Sequence, residues 1–366
     1  MSLECGIVGL PNVGKSTLFN TLTRAQVPAE NFPFCTVDPN RGVVEMPDPR
    51  MTQISEIVKP KKQVPTTVTF VDIAGLVKGA SEGEGLGNQF LSHIRSVDAI
   101  AHVVRCFESS EITHVLGEVD PLRDVEIIDL ELCMSDLDLV KKRIQRIEKL
   151  AKSGNAEARA ELHFLELASA HLSQGKPLRK LSEISQYSER EQFVTAKPLL
   201  FVANLAESDY PVLGEKAKAW LQVLEQKAHE ESAPLISMSI SLENQLSQLK
   251  SDEDRSFFLE EYGISEPGLN RLIQTAYKLL GLLTFFTAGE KEVRAWTLER
   301  GQNAQAAAGR IHSDFARGFI RAEVTGFGDF LACGGEKGAR EKGLLRAEGK
   351  EYIVQDGDIM HFRFNV

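Results

Sequence analysis

The sequence has only two tryptophans and five tyrosines, and no apolar run that approaches the roughly 18–20 residues needed to cross a bilayer. A membrane-spanning helix is therefore not expected. Its five cysteines, Cys5, Cys35, Cys106, Cys133 and Cys333, form no CxxC pair. That spacing argues against zinc-ribbon and disulfide frameworks and for reduced thiols in a cytoplasmic protein. The N-terminal Met-Ser-Leu-Glu-Cys-Gly has none of the marks of a signal peptide. Positive charge is also in deficit, with 42 Lys and Arg against 52 Asp and Glu, for a formal net charge of −10. Net charge thus disfavours indiscriminate polyanion binding but leaves room for a local basic face. Internal repeats and low-complexity tracts are missing as well. What remains is an ordinary globular composition, 42% hydrophobic over 366 residues, enough for two or three structural units.

The first stretch alternates strands and helices. Cys5-Gly6-Ile7-Val8 is a short apolar strand, and 16–24 has helical spacing at Leu18, Phe19 and Leu22. Residues 67–73, 99–104 and 198–203 read as strands, and 234–236 begins a short one. Continuous apolar strands separated by helices predict a parallel sheet covered on both faces. From 124 to 192 the pattern changes. Two amphipathic helices, 126–150 and 157–172, flank a break at Gly154-Asn155. This predicts an antiparallel helical hairpin inserted into a nucleotide domain made of 1–123 and 193–282. Residues 283–366 read as a small α+β module, with strands at 293–298, 319–324, 352–354 and 361–364 and a helix at 304–312.

The chemistry begins at Gly9-Leu10-Pro11-Asn12-Val13-Gly14-Lys15-Ser16, a GxxxxGKS loop between a strand and a helix. Gly9 and Gly14 let the backbone curl so that its N–H groups face phosphate oxygens. Asn12, Val13, Gly14, Lys15, Ser16 and Thr17 are the expected nucleotide contacts. Lys15 would neutralise β- and γ-phosphate charge, and the Ser16 hydroxyl would reach Mg²⁺. Asp72, which ends an apolar strand, can hold Mg²⁺ through water, and the Gly75 N–H can meet the γ-phosphate. Thr36, in a loop after the first helix, can close over the ion when the γ-phosphate is present. The glycine-rich stretch 80–87 reads as a conformational switch or a plain surface loop.

Leu76 stands where small GTPases carry the glutamine that orients the attacking water, so intrinsic hydrolysis should be slow or use another group. Asn12 has two readings: its carbonyl oxygen could coordinate K⁺ near the phosphates, or it stabilises the loop turn. His114 either swings toward the γ-phosphate or is structural. Guanine-binding relatives carry Asn-Lys-x-Asp, whereas this chain has Asn204-Leu205-Ala206-Glu207. The lysine is gone and the carboxylate is one methylene longer. Adenine has no 2-amino group, and Asn204 could pair with its N6 and N7. ATP thus becomes the expected substrate. Ser237-Met238-Ser239 follows the next strand, where a loop would pack under the base.

Taken together, these motifs resemble the Obg-like ATPase (YchF-type) family of translation-factor-related P-loop proteins. The likeness also takes in Phe32-Pro33-Phe34-Cys35-Thr36, Gly83-Glu84-Gly85-Leu86-Gly87 and Tyr352-Ile353-Val354-Gln355-Asp356-Gly357-Asp358, and it spans essentially the whole chain. It implies a Ras-like domain, an inserted helical coiled coil and a C-terminal TGS domain. It also implies ATP hydrolysis in preference to GTP, a hydrophobic residue replacing the catalytic glutamine, and association with ribosomes or RNA. Lys141, Lys142, Arg143 and Arg146 on the hairpin, with Arg310, Arg317 and Arg321 near the C-terminus, are candidate RNA contacts. The plain alternative is solvated cations paired with nearby glutamates. Two other functional readings stay open: a conventional GTPase, and a nucleotide-gated scaffold with little turnover.

Overall fold

The computed structural model describes residues 3–24, 40–73 and 85–365. The chain divides into two compact units, Met1–Val43 with Thr69–Ala276, and Val44–Val68 with Tyr277–Val366. Two features of this division differ from the three-part reading of the sequence. The helical hairpin counts with the first unit, and 44–68 counts with the C-terminal one.

The first unit is built on a six-stranded sheet of β1 (Glu4–Val8), β2 (Arg41–Glu45), β4 (Thr67–Asp72), β5 (Ala99–Cys106), β6 (Leu199–Leu205) and β7 (Leu235–Met238). The order is β2-β4-β1-β5-β6-β7, and β4, β1, β5, β6 and β7 run parallel. All eight residues of β5 and all seven of β6 are buried, as expected for a sheet covered on both faces. Its helices are α1 (Lys15–Arg24), α3 (Gly85–Ser96), α4 (Pro121–Lys152), α5 (Ala156–Leu172), α6 (Glu215–Glu230), α7 (Ile240–Leu246), α8 (Asp252–Glu261) and most of α9 (Gly268–Leu279). The chain crosses from β4 on one side of β1 to β5 on the other. Ligands of such sheets bind outside the strand carboxyl ends at that reversal.

The hairpin is α4 and α5. Asp120 caps α4 by accepting from the Arg123 N–H at 3.1 Å, and Pro121 opens the helix where no intrahelical donor is needed. After α4, Gly154 turns the chain at φ +99° and Asn155 caps α5, accepting from the Ala158 N–H at 2.9 Å. Cys133, Val140, Phe164, Leu165, Ala168 and Leu172 form its core together with Leu178 and Phe193 from the returning segment. Arg143 faces this packing: it pairs with Glu189 and lies 5.9 Å from the Tyr187 ring centroid. Among the four hairpin cations, only Lys141, Lys142 and Arg146 are exposed. At the base, Arg179 sits 2.6 Å from both Asp129 and Glu231, and Lys227 lies 2.7 Å from Glu231. Burial opposes ionisation of both carboxyls, but Arg179 and Lys227 outweigh it and hold Asp129 and Glu231 below the usual carboxylate range.

The second unit has a sheet of β3 (Gln63–Val64), β8 (Leu282–Ala288), β9 (Val293–Glu299), β10 (Phe319–Thr325), β11 (Arg346–Glu348) and β12 (Ile359–Phe364), in the order β11-β10-β12-β8-β9-β3. Its helices are α2 (Pro49–Val58), α10 (Ala304–Ile311), α11 (Ser313–Arg317), α12 (Phe327–Ala332) and α13 (Glu336–Glu341). Successive residues of β8 serve opposite faces. Phe285 joins the core beneath α10, whereas Phe286 packs with Met51 and Ile54 of α2 and Phe330 of α12. Arg50 fastens this excursion, lying 2.7 Å from Asp48 and 3.0 Å from Asp356. The expected strand at 352–354 is not one; Ile353 makes a single bridge to Asn303. The Tyr352 hydroxyl instead donates to Asp358 at 2.8 Å and closes the turn before β12. Arg310 pairs with Glu299 at 3.1 Å and Arg317 with Asp314 at 2.7 Å, as the plain alternative holds.

Asp136 tests how the hairpin is joined to the sheet. It is fully buried on α4 and accepts from the Val194 N–H (3.1 Å), the Thr195 N–H (2.8 Å) and the Thr195 hydroxyl (2.6 Å), just before β6. Asp136→Ala would leave all three donors buried without partners. A loss of about 2–4 kcal/mol in the urea unfolding of the full chain is expected; a loss below about 0.5 kcal/mol would contradict this attachment.

Candidate nucleotide site

The GxxxxGKS loop leaves the carboxyl end of β1 and closes into α1. Gly9 has φ +151°, and a Cβ there would lie 2.4 Å from the Val103 carbonyl oxygen of β5. Gly14 has φ +104°, and a Cβ there would lie 2.7 Å from the Asn204 amide nitrogen. Both positions are therefore closed to larger residues by conformation and by space. Asn12 occupies the left-handed region at φ +63°, which asparagine tolerates better than most residues. The first bond into the helix is Leu18 N–H to the Gly14 carbonyl at 2.9 Å. The amides of Lys15, Ser16 and Thr17 in the first turn thus have no intrahelical acceptor, which suits an anion.

Lys15 is 7% exposed, and its Nζ donates to the Leu10 carbonyl at 2.7 Å. Burial pushes its ammonium down to about 8, partly offset by Asp72. The Ser16 hydroxyl donates to Asp72 Oδ2 at 3.3 Å, and Asp72 Oδ1 is buried with no hydrogen-bond partner among the described residues. Burial raises the Asp72 carboxyl above its usual range, against the opposing effects of Ser16 and Lys15. An orphaned carboxylate oxygen beside a serine hydroxyl is an oxygen donor set that fits a hard divalent cation. Among the described residues no group of three or more His, Cys, Asp or Glu could hold a metal. Such a cation would have to take further ligands from phosphate and water, as Mg²⁺ commonly does.

The structure brings Asn204 to this loop in another way than expected. Its Nδ2 donates to the Val13 carbonyl at 2.9 Å, and its Oδ1 accepts from the Ile240 N–H at 3.0 Å. Asn204 is 5% exposed, so its amide braces the loop from behind and is not presented to adenine N6 and N7. The side chains of Leu205 and Met238 are buried in the sheet core, and the Ser237 carbonyl accepts from Arg271 at 2.7 Å. Glu207 is exposed at the edge, where it accepts from the Ser241 hydroxyl and from Gln245 Nε2 at 2.7 Å.

His114 lies on the loop after β5, and Asn12 Nδ2 donates to the carbonyl of its neighbour Thr113 at 3.2 Å. The histidine itself is locked. Its Nε2 is 2.8 Å from Asp124 Oδ2, and its Nδ1 accepts from the Leu116 N–H at 3.1 Å. Thr36, Gly75 and Leu76, and the switch stretch up to residue 84, lie outside the described residues.

Arg105 was missed by sequence reasoning. It is 1% exposed, donates to the Phe107 carbonyl at 3.0 Å and the Ile112 carbonyl at 2.8 Å, and stacks on the Phe107 ring at 4.3 Å. It shapes the loop bearing His114, beside a cavity of about 770 Å³ that His114, Glu118 and Lys216 also line. An arginine at the end of the apolar run Ala101-His102-Val103-Val104 was the available signal.

A parallel sheet with a phosphate loop at its reversal point, followed by a serine and an aspartate, defines a Ras-like P-loop nucleoside triphosphatase fold. Comparison with known proteins narrows the class. Residues 4–135 match the family model described as 50S ribosome-binding GTPase. Residues 282–365 match the YchF GTPase C-terminal family, whose description reads "protein of unknown function". The chain is 52% identical to the ribosome-binding ATPase YchF of Escherichia coli O157:H7 and 51% identical to that of Bacillus subtilis strain 168, with 100% of both chains covered in each case. The solved structure of the Schizosaccharomyces pombe YchF GTPase superposes with a TM-score of 0.86 at 37% identity, covering 99% of this chain and 98% of that one. The chain belongs to the YchF family of Obg-like P-loop ATPases.

Asn204→Ala should leave the Val13 carbonyl and the Ile240 N–H without partners in a buried place. We expect about 1–3 kcal/mol of destabilisation and faster amide exchange at 9–16. Exchange unchanged across the loop would mean that Asn204 does not brace it.

Proposed function

We propose that this chain is a Mg²⁺-dependent ATPase that hydrolyses ATP in preference to GTP and works as a cytoplasmic, ribosome-associated switch. Its relatives carry the name ribosome-binding ATPase over their full length, which supports both halves of the reading. One observation in the site carries the preference for ATP. The asparagine of the guanine motif is spent on the loop, the lysine is a buried leucine, and the acidic residue is tied to Ser241 and Gln245. Among the described residues of this motif, none is set to read the guanine 2-amino group. Among the described residues, no helix is long and apolar enough to cross a membrane.

In this reading, the amides of 12–17 and the Lys15 ammonium hold the β- and γ-phosphates where negative charge gathers. Ser16 and Asp72 would hold Mg²⁺, with Thr36 as a further ligand. When bound, that ion neutralises phosphate charge and fixes phosphate geometry. Gly75 contributes its N–H to the γ-phosphate, and Leu76 contributes no polar group to the water. Asn12 Nδ2 is engaged by Thr113, and Oδ1 accepts no hydrogen bond among the described residues, which supports its use as a K⁺ ligand. His114 reaches the phosphates only after leaving Asp124, so turnover is slow until that contact opens. The exposed hairpin cations Lys141, Lys142 and Arg146 face ribosomal phosphate.

Single-turnover hydrolysis of ATP, with and without ribosomes, tests this. We expect slow hydrolysis by the protein alone, faster hydrolysis with ribosomes, and a drop of about 100-fold or more in a folded Lys15→Ala protein. Near-normal hydrolysis in that variant would overturn the P-loop roles. A second outcome concerns pH. Lys15 titrates near 8 in the free protein, and bound phosphate favours its charged form, so binding takes up a proton above that pH. ATP affinity should therefore hold between pH 7 and 8 and fall toward about tenfold per unit above it. A flat titration series to pH 9.5 would contradict the assigned contact.

A further inference from the structure

Three guanidiniums from three elements of the second unit meet at one carboxylate. Glu323 on β10 is 6% exposed. Arg321 of the same strand lies 3.0 Å from it, Arg363 of β12 3.1 Å and Arg340 of α13 3.4 Å. Arg340 also pairs with Glu336 at 2.9 Å. The group therefore holds three positive charges against two negative ones. One buried carboxylate needs one cation, and the surplus has a cost. Arg321 and Arg363 are directly opposed in the β10–β12 register, and like charges so placed are destabilising. Hydrogen bonds from Arg363, then Arg321, hold the Glu323 carboxyl below its usual range, so the carboxylate stays charged and keeps the arginines gathered.

The gathered arginines remain available. Arg321, Arg340 and Arg363 are 54%, 56% and 47% exposed. Each guanidinium has five N–H donors, and the bonds to Glu323 and Glu336 occupy only part of each fork. Planar forks with free donors suit bidentate contact with phosphate oxygens. By contrast, Arg310 and Arg317 each face a single carboxylate. On a chain with net charge −10, such a cluster gives a local contact without general stickiness. We infer that Arg321, Arg340 and Arg363, preset by Glu323, form a phosphodiester-binding site through which the C-terminal unit grips RNA. This rests on the ribosome-associated reading above, which supplies a partner of matching charge.

The test uses the full chain with two variants, Arg363→Ala and the double Arg321→Lys, Arg363→Lys. Both should keep the melting temperature within a few degrees and the ATP affinity unchanged, because Glu323 keeps at least two cations. Binding is read as co-sedimentation with ribosomes and as filter binding of protein-free ribosomal RNA over a salt series. Arg363→Ala should weaken RNA binding about tenfold and lower the salt slope by about one. The double lysine variant should keep the slope but bind about threefold to tenfold more weakly, since charge survives and the fork does not. If the unaltered protein binds neither ribosomes nor RNA, this site and the ribosome reading fall together. If it binds and both variants bind equally well, only the arginine site falls. Lost ribosome binding with intact RNA binding would reassign the cluster to an acidic protein surface and overturn the RNA assignment.

Discussion

A phosphate loop must hold its backbone donors and a lysine toward an anion, and it must do so before the anion arrives. Here the loop is braced from behind by one side chain. The Asn204 amide joins the Val13 carbonyl to the Ile240 N–H, so β6 and the start of α7 are tied to the loop by two bonds. Gly14 is what lets that amide come so close. Lys15 is held by the Leu10 carbonyl, and Ser16 by Asp72. The Lys15 ammonium and the Ser16 hydroxyl are thus already positioned by the protein itself. Preorganisation of this kind lowers the cost of binding a highly charged ligand.

Local rules made the nucleotide unit legible. GxxxxGKS requires a strand before it and a helix after it, and both are present. The hairpin followed from apolar spacing and the Gly154-Asn155 break. Other features depended on partners distant in sequence. Residues 44–68 have no local mark of belonging with 277–366; Met51, Ile54 and Arg50 meet Phe286 and Asp356 only in the folded chain. The apolar run at 352–354 looked like a strand because its periodicity is that of one, but Tyr352 is committed to Asp358. The motif Asn204-Leu205-Ala206-Glu207 by itself points Asn204 at the base. Only coordinates show both ends of its amide already used. The roles expected of Thr36 and Gly75 concern positions outside the described residues, and they stand as proposals.

Basic residues posed the same problem in another form. A run of cations in sequence says nothing about which carboxylates they will meet. Arg143 turns inward to Glu189 and Tyr187, and Arg310 and Arg317 each find a single acid. Nothing local marks Arg340 or Arg363: the first lies among the mixed charges of 336–342, and the second stands alone in the last strand. Folding brings them to Glu323 beside Arg321 and produces a cluster in which cations outnumber acids. The network at the hairpin base, where Arg179, Lys227 and Lys180 meet Asp129 and Glu231, also has more cations than acids, but its Arg179 and Lys227 are only 10% and 12% exposed. The difference between the two groups is exposure, and it separates a fastening from a surface that can bind.

The central claim is that a braced phosphate loop without a guanine lock selects ATP. Isothermal titration of the full chain with ATP and with GTP, at equal Mg²⁺ and K⁺, tests it most directly. The account predicts that ATP binds at least as tightly as GTP, because GTP forgoes the roughly 1–3 kcal/mol that one bidentate base contact would supply. Tenfold tighter binding of GTP would mean that Glu207 leaves Ser241 and Gln245 to read guanine, and the account would be wrong.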